Sequence, residues 1–280
     1  MNEINNEIKQ DDRSSPSPTY RGGDRGGSLY KELYKACQTD WLAFDGHWRA
    51  VDDGRPVILH ESISVFGQEM VMRFAGFTCS PILTYIPGLH GYRNFIHVPI
   101  PYDFANIAPL THPDPWNRPC QASYVFGRKW LTNHTGGKVY GVKWENIDAY
   151  RHELSKNAAV ICPEIDDLLM SKLANAHSYR FGIACENAIC PGYITEKLFD
   201  LLMADTVPIY FGAELPELLE GCVVRTNLSD LETTIRGMNE VAYMDKIKKI
   251  RSLRANGFLH AYSYQSFTER VLPLLDLPRV

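Results

Sequence analysis

Residues 178–212 read SYRFGIACENAICPGYITEKLFDLLMADTVPIYFG, and the order of apolar and polar runs within them decides the fold. Phe181–Cys185 is a short apolar run, Glu186-Asn187 a polar turn and Pro191-Gly192 a bend. Thr195-Glu196-Lys197 opens a stretch with Leu198, Phe199, Leu201 and Leu202 on one helical face. A second apolar run, Val207–Phe211, closes on Gly212. Strand, loop, helix and strand in about thirty residues make a βαβ unit, whose parallel strands bind ligands beyond their carboxyl ends. The loop from Glu186 to Lys197 therefore falls where a ligand would sit.

The residue types in that loop suit a nucleotide diphosphate. Thr195 is a good N-cap, and a helix N-terminus offers unpaired backbone N–H groups and partial positive charge to an anion. Lys197 in the first turn opposes the helix dipole unless a bound phosphate reverses the penalty. Glu196 can accept two hydrogen bonds, which matches a ribose diol. Tyr193, just before the cap, can close over the diphosphate with its hydroxyl. The plainer alternative makes Glu196 and Lys197 surface charges and uses Tyr193 to pack the loop.

The same run resembles the donor-binding signature of glycosyltransferase family 10, the α-1,3/4-fucosyltransferases. The resemblance rests on Glu186-Asn187, on Tyr193-Ile194-Thr195-Glu196-Lys197, and on Val207-Pro208 leading to Gly212. A proline inside a strand pattern is unusual and adds to its specificity. It covers residues 175–265 and thins before them. It implies an α/β fold of the GT-B type, two Rossmann-like domains facing a cleft. It also implies GDP-fucose as donor and transfer with inversion at the anomeric carbon. The donor-binding set would be Glu186, Asn187, Tyr193, Thr195, Glu196 and Lys197, with an arginine as second cation. The family's own arginine position falls near Ile147, so the match fails there. Arg128, at the end of an apolar run, is the first substitute and Arg180 the second; Lys129 and Lys143 also lie close.

Composition agrees with a globular enzyme. At 280 residues the chain exceeds the usual single domain, which favours two. With 45% apolar and 22% charged residues it can bury a core and keep a soluble surface. A net charge of −4 gives no footing for nucleic acid. Seven cysteines, an odd number without tight pairing, point to reduced thiols. Cys185 and Cys190 flank the loop, but no histidine pair accompanies them, so a zinc site is not expected. No segment is apolar for long enough to span a bilayer, and the N-terminus lacks a secretory core, so a cytoplasmic location is expected.

Along the chain, residues 1–28 are polar and rich in Ser, Pro and Gly and read as a disordered tail. Residues 29–117 read as an N-terminal acceptor-binding domain, 118–265 as a GDP-sugar-binding domain, and 266–280 as a terminal helix packing across both. The Pro-rich stretch Thr111–Pro119 is the expected link. Strands are expected at 56–60, 82–86, 95–100, 122–126, 158–162 and 222–225, and helices at 68–74, 146–155, 214–219 and 266–275. Ser229-Asp230-Leu231-Glu232 reads as a capping box. Residues 245–254 carry Lys246, Lys248, Lys249, Arg251 and Arg254 around Ile247, Ile250 and Leu253, an amphipathic helix whose basic face is expected to meet solvent.

An inverting transferase also needs a base to take the acceptor hydroxyl's proton. Glu61 is the candidate, because it directly follows the apolar run Val57-Ile58-Leu59-His60. The family carries a similar Glu-Ser-Pro after a strand; here the sequence is Glu61-Ser62-Ile63, so the proline is missing. A loop glutamate facing water is the alternative, and Glu69 is the reserve base. The acidic pairs Asp52-Asp53 and Asp166-Asp167 follow no convincing strand. The reading therefore takes GDP-fucose as donor, a carbohydrate hydroxyl as acceptor, with N-acetylglucosamine the family-based guess, and no metal or other cofactor. Its rivals are another nucleotide sugar on the same scaffold and a binding protein without turnover.

Overall fold

The computed structural model describes residues 37–39, 52–59, 74–85, 89–91, 93–102, 104, 107–120, 122–125, 137–139, 142–146, 159–161, 168–186, 188–189, 191–227 and 229–275. Its strands are short and collect into two four-stranded parallel sheets and one three-stranded antiparallel sheet. In the first, β1 (Gln38–Thr39), β2 (Val57–Leu59), β3 (Ile82–Thr84) and β4 (Phe95–His97) lie side by side in chain order, all parallel. Asp52 closes a loop beneath this sheet, its carboxylate accepting from the backbone N–H groups of Thr78, Cys79 and Ser80. That is a turn-forming role.

The second half supplies β5 (Ala122–Val125), the hairpin of β6 (Gly137–Val139) and β7 (Val142–Asn146), and β8 (Ala159–Ile161). Helix α1 (Leu168–His177), β9 (Phe181–Cys185), β10 (Ala188–Ile189), α2 (Glu196–Met203) and β11 (Val207–Phe211) follow. The sheet order is β11-β9-β5-β8, all parallel, while β10 pairs antiparallel with the hairpin. From β5 the chain moves outward to β8, and from β9 outward the other way to β11. Loops leaving the carboxyl ends of β5 and β9 thus diverge, which opens the crevice where such sheets hold ligands. Pro208 is tolerated because β11 is the outermost strand of the sheet; among the described residues Val224 alone bridges to it, its N–H donating to the Pro208 carbonyl.

The helix of the central βαβ unit lies unusually close to its strand. A Cβ on Gly182 in β9 would stand 2.3 Å from Leu201 Cδ2 of α2, so glycine sets that separation. Leu198, Phe199, Leu201 and Leu202 are all buried, each contributing about 1.5–3 kcal/mol of apolar transfer. After β11 come α3 (Glu217–Glu220), α4 (Leu231–Gly237), α5 (Glu240–Ala255), a 3-10 turn over Phe258–Tyr262, and α6 (Tyr264–Leu275). Phe267 and Val271 of α6 are buried against Cys37, Ile58, Leu83 and Val98 of the first sheet. The terminal helix therefore returns to the half of the molecule where the chain began.

Three expectations need correcting. Ser229 does not cap α4: the N-cap is Asp230, without a side-chain cap bond, and Asn227 Oδ1 gathers Ser229 and the Asp230 N–H instead. Glu232 pairs with Arg236 rather than reaching back. Asn146 ends a strand rather than starting a helix, because the hairpin claims it; the rest of the expected helix, 147–155, lies outside the described residues. The basic residues of α5 do not form one solvated face. Lys246 donates to the Val223 carbonyl, Arg254 to Leu110 and Arg251 to His112, and both arginines pair with Asp205. Asp205 has φ 57°, the left-handed turn that follows a helix C-cap, and is fully buried. It fixes the Pro-rich stretch as well, since it accepts from the His112 N–H. Among the described residues no helix is long and apolar enough to cross a membrane.

Candidate functional site

β9 ends at the carboxyl edge of its sheet, and Glu186 is the next residue. Its side chain is fully buried and turns toward the start of α2. Glu186 Oε1 accepts from the Thr195 N–H at 2.9 Å and Oε2 from the Thr195 hydroxyl at 2.6 Å. Burial pushes this carboxyl above its ordinary range, against the pull of Lys197 and the Thr195 bonds. The ten residues between strand and helix are thereby closed into a loop by one carboxylate. Pro191-Gly192 makes its bend, with Gly192 at φ 78°, where a side chain would be strained.

Thr195 then caps α2 from the other side. Its Oγ1 accepts from the Lys197 N–H at 3.4 Å, as the sequence predicts. Lys197 folds back over the cap: Nζ stands 3.1 Å from Thr195 Oγ1, 3.3 Å from Glu196 Oε1 and 3.8 Å from Glu186 Oε2. Its side chain is 21% exposed and that of Glu196 36%, so both can be reached from outside. Burial raises the Glu196 carboxyl, but Lys197 and Lys172 outweigh it and hold the group down to about 2. A charged carboxylate and an ammonium thus flank the first turn of an eight-residue helix whose N–H groups point outward.

Tyr193 takes the packing role. Its ring is buried, 5.2 Å from that of Tyr85, which follows β3 at the carboxyl edge of the first sheet. The two sheets therefore present their ligand edges to each other, and these rings meet between them. The Tyr210 hydroxyl lies beneath, 3.4 Å from the Tyr193 carbonyl and 3.5 Å from Glu186 Oε1. Arg225 covers the Tyr210 ring at 4.7 Å and is held by Glu220 and by the carbonyls of Gly212 and Ala213.

Arg180 is not part of this cluster. It precedes β9, at the opposite end of the strand from Glu186, with its guanidinium 3.8 Å over Trp116 and Nε donating to the Arg118 carbonyl. The length of the strand separates it from the loop, about 17 Å at 3.3 Å per residue, so the structure does not bring it together with Lys197. Glu61, Arg128 and Asn187 lie outside the described residues, as do Glu69, Lys129 and Asp166-Asp167.

Two charged residues packed beside this cluster were not singled out by the sequence. Asp200, one turn beyond Glu196 on α2, is buried and accepts from the Tyr102 hydroxyl at 2.5 Å. Burial is the largest influence on it and lifts its carboxyl to about 6. Lys172 of α1 reaches the same group, Nζ to Oδ2 at 3.6 Å. A charged residue inside an apolar helical stripe was the available signal for Asp200. Lys172 had none, because α1 carries no cap or period that marks it. Among the described residues no group of acidic, histidine or cysteine side chains is placed to hold a metal ion. The five described cysteines are all free.

Comparison with known proteins shows what part of this chain resembles. Residues 148–221 match the family described as glycosyltransferase family 10 (fucosyltransferase) C-term. The chain is 30% identical over 182 residues to GDP-fucose protein O-fucosyltransferase 3 of Gallus gallus, covering 62% of this chain and 35% of that one. It is 57% identical over 35 residues to alpha-(1,3)-fucosyltransferase B of Drosophila melanogaster, covering 12% of this chain and 8% of that one. Our chain thus spans about a third or less of these relatives. A crystal structure of an alpha1,3-fucosyltransferase with GDP-fucose aligns with TM-score 0.49 and 14% identity over 81% of this chain and 77% of that one.

Proposed function

Because residues 148–221 carry the C-terminal signature of glycosyltransferase family 10, we propose that this protein transfers L-fucose from GDP-fucose to an acceptor hydroxyl, with inversion. The observation that carries the reading is the α2 cradle, with Lys197 and the Thr195 cap on one side and Glu196 on the other. The diphosphate would lie across the N–H groups of α2, displacing Lys197 from its carboxylate contacts. The Glu196 carboxylate, held ionised, would accept both ribose hydroxyls. As the bond from the anomeric carbon to the diphosphate oxygen breaks, charge develops on that oxygen, and Lys197 and the helix N-terminus are placed to stabilise it. The acceptor oxygen would attack from the opposite face while Glu61, two residues after β2 in the sequence, takes its proton. In this reading Lys197 and the N-terminus of α2 carry the charge stabilisation of these steps.

Two acceptor classes remain in play, and the relatives favour both: one is named for protein O-fucosylation, another for α-1,3 transfer. We take a glycan hydroxyl, an N-acetylglucosamine unit in α-1,3 linkage, as the first reading, and a polypeptide serine or threonine as the second. Titration calorimetry with GDP and UDP tests the donor half. GDP should bind, UDP should not, and Lys197→Glu should weaken GDP at least about a hundredfold, since a repulsion replaces a charge-assisted contact. Unchanged GDP affinity in that variant would end the assignment. Release of fucose from GDP-fucose, then transfer to glycan and peptide panels, decides between transfer and mere binding and between the two acceptors.

A further inference from the structure

The loop between β9 and α2 has two ties within its own half: Glu186 holds Thr195, and the Tyr210 hydroxyl meets the Tyr193 carbonyl. The second tie is weak, because 3.4 Å is long for an O–H donor. Gly192, at φ 78°, brings no side chain to pack just before Tyr193. The ring of Tyr193 is therefore an anchor for this part of the loop. It rests on the Tyr85 ring, with centroids 5.2 Å apart and planes tilted by 52°. Both rings are buried, at a separation where aromatic pairs attract. Tyr85 is itself firmly held. It follows Thr84, the last residue of β3, which is fully buried and pairs with His97 of β4. The Thr84 carbonyl also accepts from the Val98 N–H at 2.8 Å. Thr195, the cap of α2, comes two residues after Tyr193. A fixed edge of the first sheet thus reaches the start of α2 through one ring pair.

We propose that Tyr85 is a positioning residue for the donor: from the facing sheet it holds Tyr193 in place, and through Tyr193 the cap of α2 on which the diphosphate would lie. This rests on the function proposed above and adds a residue of the first half that acts through another side chain. Parting the rings lets the loop sample open forms, and apparent affinity falls with the fraction of molecules whose loop is closed. Donor affinity would then depend on both halves of the molecule and not on the second alone.

Hydrogen exchange and GDP calorimetry on the full chain test this together. Tyr85→Leu keeps apolar bulk but removes the ring. It should weaken GDP about fivefold, the worth of one aromatic pair, and speed exchange at the Thr195 and Lys197 amides by a similar factor. Exchange in β9 and β11 should keep the parent's rates, since the sheet does not depend on that pair. Tyr85→Phe, which keeps the ring, should stay within about twofold of the parent in both readings. If Tyr85→Leu does not fold, Tyr193→Leu parts the same rings from the other side and is read the same way. Faster exchange in β9, β11 and the loop alike would make Tyr85 a general stabiliser and overturn the inference. Unchanged GDP affinity, or unchanged exchange at Thr195 and Lys197, while the parent binds GDP would overturn it alone. A parent that binds no GDP removes the functional reading and this one with it.

Discussion

Glu186 has no surface of its own, yet both its oxygens are committed to Thr195, so it sets the loop's shape before any ligand arrives. Gln in its place keeps the volume and one acceptor but turns an N–H pair toward a hydroxyl or an amide that also donates. Glu186→Gln should lower unfolding free energy by about 1–3 kcal/mol, the cost of a buried group left unsatisfied, read from chemical denaturation. GDP affinity should fall with it, because the cap of α2 loosens. A variant as stable as the parent would show that Thr195 is held by something else. Asp205 is the structural counterpart at the other end of α2. Its carboxylate gathers Arg251, Arg254 and the His112 N–H, and Arg118 beside it donates to the Asp205 carbonyl, Thr206 and Tyr243. One acid therefore organises the strand-turn end while another organises the ligand end.

At the scale of elements, the contact of α2 with β9 is the one to perturb. Gly182→Ala forces a methyl into Leu201, which must shift, and overpacking of this kind costs about 1–3 kcal/mol. Leu201→Ala alone should also destabilise, by leaving a cavity, but combined with Gly182→Ala the losses should be less than additive in a double-mutant cycle. Full additivity would mean that α2 slides outward as a body. β9 and β11 were legible to the residue because their apolar runs are bounded by charged or special residues at both ends, Arg180 and Glu186 for one, Thr206 and Gly212 for the other. α2 was legible through Thr195 and its buried stripe. The hairpin of β6 and β7 was not, since Lys138, Lys143 and Glu145 interrupt any apolar period, and α1 mixes polar and apolar residues without a capping residue. The basic face of α5 misled because spacing shows which residues share a side, not that Asp205 and three carbonyls wait there. The site followed the same pattern: residues adjacent in sequence, Thr195 to Lys197, could be read, whereas Lys172 and Asp200 meet only through packing of two helices.

For the molecule as a whole, the decisive segment is where the chain passes between its sheets. It crosses first at Tyr102 and returns at Ser263, and the two passes are bridged to each other, with the Tyr102 N–H donating to the Tyr262 carbonyl at 2.7 Å. Tyr102, Phe104, Phe199 and Tyr262 pack their rings together around this point. Asp200 sits there too, facing Tyr102 from the crossing segment, Lys172 from α1 and Glu196 from its own helix. Its carboxyl rises from 3.8 to about 6 on folding, so between those values the folded protein binds more protons than the unfolded chain. Stability contributed by this group therefore falls as pH rises from about 4 to 6 and is constant above. Asp200→Asn should flatten that slope in urea denaturation curves taken at half-unit intervals; an unchanged slope would place the titration elsewhere.

Two strands of backbone lie side by side where the chain crosses between its sheets, so two connections, not one, join them. Cleavage of one strand, anywhere from 107 to 119, would leave the other intact together with α6 clasped to the first sheet, so the nicked protein should still migrate as one particle under native conditions and as two pieces only after denaturation. Tyr85 and Tyr193 meet between the same two sheets, so a rotation about the crossing would change the separation of their rings.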